Sequence, residues 1–345
     1  MPKKIRILSL DGGGIRGIIS CVILKYIEEQ LQRLDHPEAK LGDYFDLVAG
    51  SSTGGILAAL VLYPDNSKRS KFSVETALDL YAKKGDTIFN VSFWNQVLNP
   101  FGLFNEKISQ KSLEKQLGEV FGALELKDLV KPCLITSYDI NSRKAKFFCS
   151  HEAGSPLENF YVKDVCRATS AAPTYFEPAK IKSLYQQEFT LIDGGVYANN
   201  PALCAYAEAR KIAFSKALSD PEKIDYPSVN DMIIISIGTG QVLKPYSFKE
   251  FENAGKIKWI NPLIDILLTA NAETVDYLLT KMYETLGPRN QKNYYRIMPD
   301  LKNASPEMDD TTRKNIFELI QAGLLYVDEN REALDEIAKK LVKHK

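Results

Sequence analysis

Histidine is scarce in this chain, with three residues in 345. Cysteine is also sparse. The five cysteines, Cys21, Cys133, Cys149, Cys166 and Cys204, are odd in number, widely spaced and never paired as CxxC. That spacing excludes a disulfide framework and a cysteine-built zinc site, so buried free thiols are expected, and no metal. Excess charge is missing as well, with 44 Lys plus Arg against 44 Asp plus Glu. A chain so balanced lacks the basic surplus of a nucleic-acid binder, and no nucleic-acid partner is expected. Long apolar runs are absent too. The best candidate, Ile56 to Leu62, falls far short of the roughly 18 residues that a membrane helix needs. The N-terminal apolar stretch meets Asp11 too soon to read as a signal peptide. These absences together imply a cytoplasmic protein without a transmembrane segment, at most peripheral to membranes.

What is present suits a globular protein, since 45% of the residues are hydrophobic. Ile5 to Leu10, Phe45 to Ala49, Cys133 to Tyr138, Phe189 to Ile192 and Met232 to Ile237 are short, nearly continuous apolar runs. Such runs suit strands buried on both faces of a sheet. Between them, Ile18 to Leu34, Ala202 to Phe214 and Leu263 to Tyr283 repeat apolar residues at helical spacing. Alternating strands and helices predict an α/β fold with a mainly parallel central sheet. Thr311 to Lys343 reads as one or two amphipathic helices interrupted near Gly323. Pro64 to Ser73 and Val97 to Phe104 read as loops, the second apolar enough to suggest a lip that touches lipid.

After the first strand comes Asp11-Gly12-Gly13-Gly14-Ile15-Arg16-Gly17. Glycines let this backbone approach a ligand closely, and the helix that follows aims free N–H groups and its positive dipole end at the same point. The loop is suited to an anion. Gly12, Gly14 and Gly17 satisfy GxGxxG, but a dinucleotide also needs an acidic residue ending the second strand. Here that strand runs into Val48-Ala49-Gly50-Ser51-Ser52, without a carboxylate. No GK[ST] follows either, so a Walker phosphate loop is excluded. An oxyanion hole remains, with no cofactor required.

Gly50-Ser51-Ser52-Thr53-Gly54 matches GxSxG between a strand-like and a helix-like run, the setting of a nucleophile elbow centred on Ser52. Side chains at Gly50 or Gly54 would collide in so sharp a turn. Serine needs a base within reach, and none of the histidines is well placed. His36 lies in a polar loop, His344 beside the C-terminus, and His151 at a strand exit. Asp193 is better placed, ending an apolar strand and followed by Gly194-Gly195. A desolvated carboxylate there could take the serine proton directly. Farther on, Asn200 reads as a helix N-cap and Pro201 as the first helical residue.

In order, DGGGIRG, GSSTG and DGG resemble the patatin-like phospholipase family. So do Thr169 to Phe176, Ser236 to Gly240, Asn293 to Ile297 and Glu307 to Asp310. The resemblance runs from Ile5 to about Leu325 and implies a three-layer α/β/α fold in one domain across residues 1–345, with a helical tail over 326–345. It also implies a Ser–Asp dyad at Ser52 and Asp193, an oxyanion hole at Gly12, Gly13 and Gly14, and supporting roles for Gly50, Gly54 and Gly194. Arg16 is expected to steady the glycine loop, with a lipid phosphate as its alternative contact. The activity implied is calcium-independent release of fatty acids from phospholipids, lysophospholipids or galactolipids at a membrane or micelle surface. A silent or gated member of the family is one alternative, and a dinucleotide-binding oxidoreductase is the other. The segment DGGVYANNP looks more like bacterial and animal relatives than like tuber proteins.

Overall fold

A computed structural model describes residues 3–88, 106–241, 246–253 and 255–345. The apolar segment Val97 to Phe104, read above as a lip, lies outside the described residues.

Among the described residues, eight strands form one mixed sheet: β1 (Ile5–Leu10), β2 (Leu47–Ser51), β3 (Cys133–Asp139), β4 (Lys144–Cys149), β5 (Ala179–Lys182), β6 (Glu188–Asp193), β7 (Met232–Ile237) and β8 (Tyr294–Ile297). Their order is β5-β6-β3-β2-β1-β7-β8, with β4 also paired to β3. The stretch from β3 to β8 is parallel throughout. β4, β5 and β6 join in antiparallel fashion. The second strand starts two residues later than its apolar run suggests and continues into the serine turn. β4, β5 and β8 were not expected. All three lie at margins of the sheet, where KAKFFC and AKIK mix lysine with apolar residues and YYRI is only partly buried. A strand with an exposed face carries no continuous apolar run.

Successive strand residues face opposite sides, and both sides are covered. Leu8, Leu10, Val48, Ile135, Ile235 and Ile237 face one apolar cluster, while Ile5, Ile7, Leu47, Leu134 and Ile234 face the other. The first cluster is completed by α1 (Gly17–Leu34), α2 (Thr53–Val61), α3 (Val74–Ile88), α4 (Glu106–Phe121) and α5 (Val162–Thr169). On the other side lie α6 (Ala202–Ala209) and α7 (Lys256–Glu284). Helices on both faces of a mostly parallel sheet make the three-layer α/β/α architecture.

Several helix boundaries differ from expectation, and α7 starts at Lys256 rather than Leu263. α6 stops at Ala209, because Ala213 leaves the helix to pair with Asp225 in an isolated bridge. It begins at Ala202, one residue after Pro201, and Asn200 Oδ1 accepts the Ala202 N–H at 3.0 Å. Near the C-terminus, α8 (Arg313–Glu329) and α9 (Arg331–Lys343) meet at Asn330. Gly323 sits inside α8, where a Cβ would come within 2.8 Å of Val22 Cβ on α1. It allows close packing and breaks nothing. Nor is α9 an appended tail, since Leu334, Ile337, Ala338 and Leu341 are buried in the first cluster. Among the described residues, no helix is long and apolar enough to cross a membrane.

Candidate active site

β2 delivers Ser52 and β6 delivers Asp193, and both strands lean on β3. Ser51 pairs with Thr136, while Asp193 pairs with Ser137, the next residue of β3. β4 pairs with those same β3 residues, so it occupies the opposite edge and leaves β2 and β6 to share the other. Where β2 turns away, β6 takes over. The nucleophile candidate and the carboxylate are thereby brought together.

Ser52 takes φ 53° and ψ −124°, a region costly for a residue with a side chain. Surrounding bonds hold it there. Its N–H donates to Thr169 Oγ1 at 2.8 Å, and that hydroxyl donates to Thr136 O at 2.7 Å. The turn is as tight as the motif suggests: a Cβ on Gly50 or Gly54 would fall 2.2 Å from the carbonyl oxygen of Gly54 or Leu10, respectively. α2 starts at Thr53, so its N-terminal dipole lies beside Ser52.

Asp193 is buried, and Gly194 packs against Thr136 in the turn that follows it. The Asp193 N–H donates to Ala171 O at 2.9 Å, and Oδ1 accepts the Gly195 N–H at 2.7 Å. Burial pushes the carboxyl up to about 7, against the opposing pull of hydrogen bonds from the Ser52 hydroxyl and the Gly195 N–H. A carboxylate poised near neutrality suits a general base.

The glycine loop is clamped from beneath. Arg296 grips Asp11 with two bonds, Nη1 to Oδ1 at 3.0 Å and Nη2 to Oδ2 at 2.6 Å, and Nη1 also donates to Ser236 Oγ at 2.8 Å. Thr239 Oγ1 donates to Gly12 O at 2.9 Å. Gly12 differs from its expected role, since its N–H donates to Asn199 O at 3.1 Å. Gly13 and Gly14 line the Ser52 pocket, and among the described residues no acceptor meets their N–H groups. Gly14 has φ +57°, and a Cβ there would strike Met308 O. Arg16 is half-buried, and its Nε lies 3.4 Å from Gly13 O. It contacts the loop and also lines a second cavity of about 520 Å³ with Asp265, Glu273 and Asp276. Asn199 and Leu268 form the wall common to both spaces.

Ser52 and Asp193 open into a narrow pocket of about 60 Å³, lined by Ala172, Pro173, Tyr175, Phe176, Val196, Ile264, Leu268 and Met308. No histidine borders it among the described residues. His151 is engaged elsewhere, with Nε2 3.0 Å from Glu208 Oε1. The pocket therefore joins a serine, the carboxylates of Asp193 and Asp309, two backbone donors and a largely apolar lining.

The family model for patatin-like phospholipase matches residues 8–206, more than half of the chain. The chain belongs to the patatin-like phospholipase family. Patatin-like protein 2 of Oryza sativa subsp. indica is 34% identical, with 96% of this chain and 86% of that protein covered. Patatin-like protein 3 of Arabidopsis thaliana is 35% identical, covering 93% and 80%. A Solanum tuberosum protein named "probable inactive patatin-3-Kuras 1" is 32% identical, covering 94% and 86%. Likeness to plant proteins, one from Solanum tuberosum included, therefore spans nearly the whole chain.

Within this patatin-like chain, sequence reasoning passed over three supports: Arg296 beneath the loop, Thr169 behind Ser52, and Asn199 between the loop and the carboxylate. Thr169 and Arg296 lie in segments that carry the family resemblance. Their roles depend on contacts between segments far apart in the chain, which residue spacing does not reveal.

Proposed function

We propose that this patatin-like chain is a lipid acyl hydrolase using Ser52 as nucleophile and Asp193 as base. One observation carries the reading: Ser52, on its strained turn, meets a buried carboxylate poised near neutrality at the end of an apolar pocket. Asp193 takes the Ser52 proton as the serine oxygen attacks the ester carbonyl. The Gly13 and Gly14 N–H groups, with the α2 dipole, receive the charge on the carbonyl oxygen. As the tetrahedral intermediate collapses, the leaving alkoxide takes the proton from Asp193 and an acyl-enzyme remains. Water then gives a proton to Asp193 and attacks the acyl carbon. Ser52 recovers a proton, and the fatty acid leaves. None of these steps requires a metal, and the substrates proposed are phospholipids, lysophospholipids or galactolipids.

The test is release of p-nitrophenol from a short-chain ester and of fatty acid from phospholipid vesicles, with excess chelator present. Wild type is expected to turn over both, and Ser52→Ala to lose several orders of magnitude in kcat. Equal rates in the two proteins would overturn the assignment of Ser52. Silence in both would favour an inactive family member, as the name of the potato relative describes that protein.

A further inference from the structure

The pocket around Ser52 is too small for a fatty acyl chain. Its volume of about 60 Å³ compares with roughly 150 Å³ for a cavity that admits benzene. Two residues of α7, Ile264 and Leu268, form part of its wall. The opposite side of that helix should be polar if it faces only water. It is not. Leu263, Ile266, Leu267, Tyr277 and Leu278 are exposed, Leu267 to 53% and Tyr277 to 62%. Their spacing places them along one stripe, with Ala270 and Thr274 completing the turns between. The threonine hydroxyls on this stretch are taken up by the helix backbone, since Thr274 Oγ1 donates to Ala270 O and Thr269 Oγ1 to Asp265 O, each at 2.8 Å. Just before α7, Phe248 is 81% exposed. Beside it, Tyr246, Phe251 and Trp259 meet in series, the first pair edge-on and the second tilted, with Lys258 Nζ 5.2 Å from the Phe251 ring. Aromatic rings with a lysine at one end of an apolar stripe suit the boundary between headgroups and acyl chains.

We infer that the outer stripe of α7, with Phe248, is the surface on which the protein seats itself on a lipid layer. This rests on the hydrolase reading for its purpose, because the same helix walls the pocket that a water-insoluble ester must enter. On lipid, the outer leucines exchange water for acyl chains while Ile264 and Leu268 are left free to make way for substrate. The partner is a zwitterionic lipid surface, since none of Leu263, Ile266, Leu267, Ala270, Thr274, Tyr277 and Leu278 carries a charge and apolar area supplies the attraction.

Binding is measured by co-sedimentation with phosphatidylcholine vesicles, using Ser52→Ala protein so that hydrolysis plays no part. Substituting Leu263, Leu267 and Phe248 by Ser in that background is expected to weaken binding at least ten-fold. In the active protein, the same three changes should leave the short-chain soluble ester rate within about two-fold while vesicle hydrolysis falls at least ten-fold. A triple Leu263→Met, Leu267→Met, Phe248→Leu variant should retain binding, separating apolarity from fold. Unchanged sedimentation of the Ser variant would overturn the inference. So would light scattering that showed a dimer dissolved by those substitutions, since a second copy would then cover the stripe. Failure of the hydrolase reading would instead appear as absent ester turnover with vesicle binding intact.

Discussion

At Asp193 the demands of catalysis and of folding oppose each other. The unfolded carboxyl titrates near 3.8 and the buried one near 7. The folded state therefore holds its proton more tightly, and this group's contribution falls as pH rises from about 4 to 7. Asp193→Asn removes the charge while keeping an acceptor for the Gly195 N–H. That variant is expected to be more stable than wild type at pH 8, by roughly 1–4 kcal/mol, with the difference vanishing below pH 4. Its esterase rate should fall by several orders of magnitude. Urea unfolding at the two pH values, with ester assays alongside, checks both. In wild type, kcat/KM should rise through about pH 7 and then level off, since the ionised carboxylate is the active form. A profile flat from pH 5 to 8 would count against Asp193 as the base. Arg296 invites a second experiment: Arg296→Met leaves Asp11 buried without its partner, a loss expected to cost about 3–5 kcal/mol. Adding Asp11→Asn should recover much of it, as thermal melts of the single and double variants would show.

Among the elements, close approach between helices governs the next expectation. Gly323→Ala would force a methyl onto Val22, and overpacking of this kind costs about 1–3 kcal/mol. Val22→Ala should relieve part of that strain, a coupling visible in a double-mutant cycle. The same glycine shows how far the sequence could be read. Its breaker character suggested an interrupted helix, but its function is to admit the side chain of a distant helix, and periodicity cannot express that. Elements buried on both faces, such as Ile5 to Leu10 and Met232 to Ile237, were legible to the residue. Marginal strands were not, because exposure removes their pattern. At the candidate site, the turn chemistry of GSSTG and DGG was legible because each glycine answers a local steric demand. The Gly12 N–H was misassigned because its acceptor, Asn199 O, arrives from far along the chain.

For the whole molecule, the C-terminal helix is a structural closure. Arg6 Nη1 donates to Leu341 O at 3.2 Å, and Lys223 Nζ donates to His344 O at 3.1 Å. Both cations also hold buried Asp46, at 2.8 and 2.9 Å. α9 thus covers an ionic knot at the start of β1 as well as an apolar cluster. Ending the chain at Asn330 should expose both and yield protein that aggregates on expression; a cooperative thermal transition in the shortened chain would refute this. The sheet has a further consequence for how the site tolerates change. Because β2 and β6 abut along one edge of β3, that strand is the ruler that sets their alignment. Loops between Ser52 and Asp193 can lengthen without disturbing it, whereas one residue inserted between Thr136 and Ser137 would shift the two ends apart by about 3.3 Å and turn alternate side chains to the wrong face. In this protein the length of a strand that contributes neither proposed catalytic residue is less free to vary than the loops before and after it.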